Sequence, residues 1–171
     1  MKIEKINSNE VFRIQKIAHV TWPTSYKGII SEEQINYMLE WMYNLETLAN
    51  QAENGHFFFI LTEKESDLGF ISVEPNYNSQ GISKIQKIYV IPSEQGKGIG
   101  KKLLDFAIPY FRDQHNQSTF ILNVNKKNKA VNFYKKMNFV IDREEDFEIG
   151  NGFLMEDYIM NLELKNYNFK N

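Results

Sequence analysis

The sequence contains no cysteine, and this excludes disulfides, thiolate metal ligands and thiol catalysis. No apolar run approaches the ~20 residues of a membrane-spanning helix. The N-terminal segment carries Glu4 and Glu10 and lacks the apolar stretch of a signal peptide. The four prolines, at positions 23, 75, 92 and 109, are scattered and mark no linker. We therefore expect a single domain over residues 1–171, located in the cytoplasm.

The net charge is only −2, which argues against a dedicated nucleic-acid-binding protein, but the charge is unevenly distributed. Residues 81–140 hold 11 Lys+Arg and 3 Asp+Glu, a net charge of +8. Residues 1–80 hold 6 against 11, and residues 141–171 hold 3 against 8, so each flank has a net charge of −5. This pattern favours an anionic ligand at the middle segment and a cationic ligand nearby; ordinary solvated charge is the alternative.

The first third of the chain is predicted to be one strand followed by helices. Residues 2–6 alternate weakly, and Ser8 can cap a helix that Pro23 should limit. The residues expected on its apolar face are Val11, Ile14, Ile17 and Ala18. The segment Ser31-Glu32-Glu33-Gln34 has the form of a capping box and should begin a second helix. Its expected apolar face is Ile35, Met38, Trp41 and Met42. A further short helix over 45–54, closed by Gly55, is possible.

The remainder alternates between strand and helix patterns. Strands are predicted at 56–62, 68–74, 81–91, 118–124, 139–147 and 153–164, and the first three of them should pair as antiparallel hairpins. A helix should follow Gly100, kinked or ended by Pro109, and another should follow residue 128. The order β-α-α-β-β-β-α-β-α-β-β indicates an α/β (α+β) layer fold with a mixed, mostly antiparallel sheet of about seven strands.

The most informative segment is the glycine-rich turn Gln95-Gly96-Lys97-Gly98-Ile99-Gly100, which joins a strand to an amphipathic helix. Glycines allow the backbone to curl around a ligand, and a helix N-terminus offers free N–H groups, so the segment predicts a phosphate site. Two known phosphate motifs do not fit. Lys101 stands where both the P-loop and the dinucleotide fingerprint require a glycine.

This turn resembles the [QR]-x-x-G-x-[GA] signature of the GNAT N-acetyltransferase superfamily. About 30 residues later, Asn128-Lys129-Ala130-Val131-Asn132-Phe133-Tyr134-Lys135-Lys136-Met137-Asn138-Phe139 is similar to the family's second stretch, N-x-A-x-x-[FL]-Y-x-K-x-G-F. Asn138 replaces the usual glycine, a conservative change because Asn tolerates the left-handed conformation expected there. The resemblance implies the family's three-layer fold.

The resemblance further implies that acetyl-CoA is the acetyl donor and that no metal takes part. The donor would lie where strands 82–91 and 118–124 splay apart, its pantetheine arm on the backbone of the first strand and its pyrophosphate on the turn. The positions assigned to the donor in this way are Ile88, Tyr89, Val90, Gln95, Gly96, Lys97, Gly98, Ile99, Gly100, Lys101, Asn128 and Lys136. Helix capping is the alternative for Asn128, and an exposed position is the alternative for Lys136.

Tyr134 matches the family's usual general acid, which would protonate the departing thiolate of CoA; packing beside Phe133 is the alternative. The general base is left open among Glu74, His56 and Tyr89. Three residues are expected to contact the acceptor: Trp22, Tyr26 and Glu74. The rings of Trp22 and Tyr26 would attract a cationic amine by cation–π interaction. A role in core packing is the alternative for Trp22.

The resulting hypothesis is an enzyme that moves acetyl from acetyl-CoA to a primary amine by direct attack in a ternary complex. The acceptor is expected to be a small cationic, polyamine-like amine or a protein N-terminus or lysine. A non-catalytic acyl-CoA-binding or sensing domain is the alternative. We expect no nucleic-acid or membrane partner, and a homodimer is possible.

Overall fold

A computed structural model describes residues 1–167; residues 168–171 of the expected domain lie outside this range. The helices are α1 (Phe12–Ser25), α2 (Glu32–Met42), α3 (Leu45–Glu53), α4 (Ile99–His115) and α5 (Ala130–Lys136). The strands are β1 (Lys2–Ile6), β2 (Phe57–Glu63), β3 (Ser66–Glu74), β4 (Ile82–Val90), β5 (Thr119–Asn125), β6 (Val140–Glu148) and β7 (Leu154–Glu163). The predicted order is confirmed, with α3 as a separate third helix.

The strands form one seven-stranded sheet in the order β1-β2-β3-β4-β5-β7-β6. Every neighbouring pair is antiparallel except β4 and β5, which are parallel. The mixed, mostly antiparallel sheet and its predicted hairpins are therefore confirmed. The parallel pair follows from chain connectivity, because α4 carries the chain back across the sheet between β4 and β5.

The β4–β5 pairing is short, and its early end creates the site. It runs from Ile82 opposite Thr119 to Ile85 opposite Leu122. At the same point the register of β4 against β3 shifts, so that Ser72 faces Lys87 and Val73 faces Ile85, which leaves Gln86 as an extra residue. A bulge of this kind bends and twists the strand that carries it. Beyond it, β4 and β5 diverge.

Two apolar layers cover the sheet, one on each face. One core packs α4 and α5 on the sheet through residues that include Leu103, Leu104, Phe111 and Phe120, and the other packs α1, α2 and α3 on the opposite face. The expected three-layer arrangement is thus confirmed. It places α4 and α5 on one side of the divergent strands and α1 on the other.

Four details of the helices differ from expectation. Ser8 does not cap α1; Asn7 caps a 3₁₀ turn, Ser8–Glu10, that precedes it. Pro23 lies inside α1. Because it has no N–H, the carbonyl of His19 loses its helical hydrogen bond, but His19 is exposed and water can replace that bond. Pro109 likewise does not end α4, because the burial of that helix outweighs one lost hydrogen bond. Trp41 is 49% exposed rather than part of the apolar face of α2.

Candidate active site

A cleft of about 980 Å³ opens where β4 and β5 diverge. Its walls come from the end of α1 with the following loop, the outer half of β4, the turn before α4, the end of β5, and α5. Ile88, Tyr89 and Val90 line it from β4, and Leu122, Asn123 and Val124 line it from β5. On the side facing β5, this part of β4 has no strand partner. Its backbone N–H and C=O groups therefore face the cleft, where an extended ligand can bind to them as an added strand would.

The turn at the mouth of the cleft has the geometry of an anion site. Gly96 and Gly98 have φ of +79° and +80°, a left-handed conformation that glycine adopts without strain. The side chain of Gln95 donates to the carbonyl of Val90 at 3.1 Å and ties the turn to the end of β4. The first intrahelical bond of α4 runs from Lys102 N–H to Gly98 O, and Lys97 N–H donates to Glu94 O at 3.4 Å. The N–H groups of Gly98 to Lys101 therefore have no backbone acceptor among the described residues and are available to a ligand.

Gly100 serves a different purpose from the two glycines before it. It lies within α4, and a Cβ at this position would be 3.2 Å from the ring of Phe133. That distance is tighter than an ordinary van der Waals contact. The third glycine of the motif therefore lets α5 approach α4 closely, and so fixes the side of the cleft on which Tyr134 stands.

The cleft is basic. Within the described residues its lining contains one carboxylate, Glu94, and several lysines, which are Lys27, Lys87, Lys101, Lys127, Lys129 and Lys136. Of the predicted donor residues, Lys97 is not in the lining; its exposed side chain pairs with Glu94 at 3.1 Å. Lys101 pairs with Asp105 at 2.7 Å. An anionic ligand fits this field.

Tyr134, on α5, lines the cleft and is 6% exposed. Burial raises the pKa of its phenol well above the usual value, so the hydroxyl keeps its proton at neutral pH. Its ring also packs against Phe133 and Phe139. The packing role does not exclude a proton-donor role, because Tyr134 both packs against these rings and lines the cleft.

The start of α5 is stabilised by Asn128, whose side-chain oxygen accepts from the N–H of Ala130 at 2.9 Å. Asn128 also lines the cleft, as does Lys136. Asn138 has φ of +67°, which confirms the left-handed conformation expected where the family has glycine. Asn138 therefore ends α5 in the way that glycine commonly ends a helix.

The wall opposite α5 is aromatic. Tyr26, directly after α1, lines the cleft, and its hydroxyl lies 3.3 Å from that of Tyr89. Burial raises the pKa of Tyr26 to about 12. Trp22 is 2% exposed and stacks on Tyr26 at 4.4 Å between ring centroids, but it is not part of the lining. It supports the wall from the core.

Glu74 also lies outside the lining. It accepts from Gln86 Nε2 at 2.8 Å and is 3.4 Å from His56 Nε2. Burial lowers the pKa of His56. Next to this pair Lys87 is 4% exposed and donates to Gln51 Oε1 at 2.8 Å. Burial lowers the pKa of Lys87 to about 8.

The acidic residues of β6 do not enter the cleft. Lys126 forms 3.0 Å ion pairs with Glu144 and Asp146, and Arg143 pairs with Asp142 and Glu145. These carboxylates behave as solvated charge on an exposed edge strand. The acidic C-terminal flank therefore does not form the acceptor wall through β6.

Residues 27–162 match the family model of the acetyltransferase (GNAT) domain. The chain belongs to the GNAT acetyltransferase family. It is 25% identical over 161 residues to a spermidine N(1)-acetyltransferase of Thermoplasma acidophilum, covering 91% of this chain and 96% of that protein. It is 30% identical over 112 residues to an uncharacterised N-acetyltransferase of Methanocaldococcus jannaschii, covering 63% of this chain and 46%, about half, of that protein.

Solved structures of this family share the fold. A PaiA N-acetyltransferase of Thermoplasma acidophilum, crystallised with coenzyme A, superposes with a TM-score of 0.77 at 24% identity, over 95% of this chain and 99% of that one. A spermidine N-acetyltransferase of Vibrio cholerae gives 0.68 at 19% identity, over 97% and 96%. The domain is an acetyl-CoA-dependent N-acetyltransferase.

The described residues include neither a metal-binding group nor a membrane-spanning helix. Between residues 1 and 167 the side chains that commonly ligate metals form no group able to hold an ion. Over the same range, every helix is too short or too polar to cross a membrane.

Two polar residues at or near the cleft were not predicted from the sequence. Asn123, on β5, lines the cleft, and Asp157, on β7, is 7% exposed behind it. A signal was available for Asn123. It lies in a strand whose alternate residues Phe120, Leu122 and Val124 are apolar, so it belongs to the other face of the sheet.

Proposed function

We propose that the acceptor is a small primary amine with a second positive charge, similar to a polyamine. The observation that carries this proposal is the likeness to a spermidine N(1)-acetyltransferase over 91% of the chain. The acceptor wall supports it chemically, because the rings of Tyr26 and Tyr89 offer aromatic surface to an alkylammonium group.

The donor would bind along the opposite half of the cleft. The free edge of β4 from Ile88 to Val90 suits the amides of the pantetheine arm, and the N–H groups from Gly98 to Lys101 suit the pyrophosphate. Lys127, Lys129 and Lys136 surround this half with positive charge. The thioester would then lie deep in the cleft, between the β4 bulge and Tyr134.

Transfer in this arrangement would be direct. The amine nitrogen would attack the thioester carbon in a ternary complex, and the hydroxyl of Tyr134 would donate its proton to the departing sulfur. The thiolate of a thiol with an ordinary pKa near 8.5 is a poor base and a good leaving group, so a positioned donor gives a moderate gain, typically about 10²–10⁴-fold. The high pKa of Tyr134 keeps this donor protonated.

A pair of matched amines tests the proposed acceptor. The kcat/KM for 1,6-diaminohexane should exceed that for n-hexylamine by tenfold or more, when the release of CoA thiol is followed at saturating acetyl-CoA. The two acceptors have the same chain length and the same reacting group, and only the distal charge differs. Equal values would contradict a dicationic acceptor, and a preference for a peptide N-terminus in the same assay would redirect the proposal to a protein acceptor.

A further inference from the structure

The buried carboxyl of Asp157 is unexplained by the fold. Asp157 lies on β7, opposite Asn125 of β5 and Glu145 of β6. It is 7% exposed, and its Oδ1 is buried without a hydrogen-bond partner in the described part of the chain. Because burial disfavours its charge, a buried carboxylate without a hydrogen-bond partner lowers the stability of the fold. Such a group therefore calls for a functional explanation.

The side chain of Asp157 lies on the acceptor face of the sheet. Met155, two residues earlier on β7, belongs to the core under α1, α2 and α3. Side chains two apart on a strand share a face, so Asp157 faces the same layer. The apolar residues of β5 belong to the opposite core, and this puts Asn123 beside Asp157.

Two cleft-lining side chains separate Asp157 from the cavity. Asn123 is close enough to lower the pKa of Asp157, and Tyr26 is close enough that the charge of Asp157 raises the pKa of its phenol. Asn123 and Tyr26 both line the cleft. An ammonium group bound against these two side chains would lie beside the orphaned carboxyl oxygen of Asp157.

The surroundings leave this carboxyl poised to exchange a proton. The pKa of Asp157 is raised to about 6, mainly by burial and to a smaller extent by nearby Asp146, against the lowering effect of Asn123, Lys84 and Lys126. Glu145, its neighbour on β6, points to solvent and pairs with Arg143. At pH 7 and above the group is mostly a carboxylate, and below pH 6 it is mostly neutral.

We propose that Asp157 binds the ammonium group of the acceptor amine and accepts its proton. The inference rests on the proposed function, and it adds the base that the sequence left open. The ammonium would lose one proton to Asp157, and the freed nitrogen would form the bond to the acetyl carbon as the carbon–sulfur bond breaks. The sulfur takes a proton from Tyr134, Tyr134 regains one from the nitrogen, and Asp157 releases its proton to water.

The test is Asp157→Asn, compared with Glu163→Gln, a matched carboxyl-to-amide change at an exposed site on the same strand. At pH 7.5, kcat/KM for 1,6-diaminohexane should fall about 100-fold or more in the first variant and stay within twofold in the second. The affinity for acetyl-CoA, measured by calorimetry, should be unchanged in both. The wild-type profile of kcat/KM should fall below pH 6, and Asp157→Asn should lose this acid limb.

Thermal unfolding separates this role from a structural one. Because the folded-state pKa is raised, the carboxylate lowers stability as pH rises through 6. Asp157→Asn should therefore unfold at the same temperature as the wild type or higher at pH 7.5, whereas a structural carboxylate would leave the variant less stable.

The outcomes are distinct. Wild-type protein that binds acetyl-CoA but acetylates no amine would overturn the proposed function. Wild-type protein that acetylates amines, with Asp157→Asn within threefold of it and showing the same acid limb, would overturn only the role of Asp157. If the variant does not fold, a wild-type profile without an acid limb near pH 6 overturns the inference.

Discussion

The two halves of the cleft are built from different kinds of structure. The half that we propose binds the donor is mainly one continuous segment, in which β4, the turn Gln95–Gly100 and α4 follow each other, with Lys127, Lys129 and Lys136 beside it. The groups that it would offer to the donor are mostly backbone groups. The acceptor half gathers side chains from α1, β4, β5 and β7, and its members Tyr26, Asn123 and Asp157 are far apart in the chain.

This difference explains how buried polarity is distributed. The donor half is open to solvent. Its polar groups are the free N–H groups at the start of α4, and water can hydrogen-bond to them. The acceptor half contains buried ionisable groups, Lys87 and Asp157 among them. Burial disfavours their charged forms and shifts their pKa values. Groups of this kind reduce stability and are found preferentially at functional sites. The comparison predicts that changes in the donor half alter binding and that changes in the acceptor half alter chemistry and stability.

The largest effect should come from Tyr134→Phe, where the two halves meet. Phe keeps the packing against Phe133 and Phe139 and removes only the hydroxyl, so kcat should fall about 10²–10⁴-fold while the affinity for acetyl-CoA changes less than twofold. Stopped-flow release of CoA thiol measures the first, and calorimetry the second. Tyr110→Phe is the control, because Tyr110 packs among aromatic rings away from the cleft. An unchanged kcat with rate-limiting chemistry would leave Tyr134 with a packing role alone.

The donor half should respond to Gly98→Val with a loss of affinity for acetyl-CoA of about tenfold or more. The new side chain stands on a left-handed residue at the anion site, where the strain alone costs about 1–2 kcal/mol. Gly152→Val controls for strain, since Gly152 has φ of +77° in the β6–β7 turn with open space around it. Both variants should lose stability, and only Gly98→Val should weaken binding in calorimetry. Equal affinities in the two variants would argue against the turn as the phosphate site.

In the acceptor half, Lys87→Met should raise the free energy of unfolding by about 1–3 kcal/mol at pH 7, because it removes a buried charge. The folded-state pKa is lowered from 10.5 to about 8, so the unfolded chain binds more protons between these values. Wild-type stability should therefore rise with pH from 8 upward, and the variant should lack this rise. Lys84→Met, on the more exposed part of β4, is the control in urea titrations. A less stable Lys87→Met would show that the bond to Gln51 outweighs the burial of the charge.

The smallest effect should be the salt dependence of the acceptor. Exposed charges are screened over about 8–10 Å at moderate ionic strength, but Asp157 is buried and the β6 carboxylates lie away from the cleft. At saturating acetyl-CoA, kcat/KM for 1,6-diaminohexane should fall only a few-fold between about 50 and 300 mM salt. Over the same salt range, kcat/KM for n-hexylamine should fall less. A fall of a hundredfold would instead assign acceptor selection to long-range steering by the surface.

The sequence was most informative where function depends on neighbours in the chain. Alternation, capping residues and turn glycines predicted the strands and helices, since they act within a few residues. The two motif stretches identified the family for the same reason, and the donor side that they indicate stays a prediction. The expectations that Pro23 limits α1 and that Pro109 ends α4 were wrong because a local rule was applied where burial of the whole helix decides the outcome. A kink at Pro109 stays a prediction.

Local patterns in the sequence were therefore sufficient to predict the fold class correctly. They also predicted a phosphate-binding turn and a catalytic tyrosine, which stay predictions. The packing of distant segments was needed to show that Gly100 makes room for Phe133, that Trp22 and Glu74 lie outside the cleft, and that the acidic residues of β6 face solvent. It alone brought Asp157 behind Asn123 and Tyr26. The physical reason is that burial and charge–charge contacts depend on which distant strands become neighbours, and the sheet order β4-β5-β7-β6 is fixed by packing of the whole chain rather than by any local pattern.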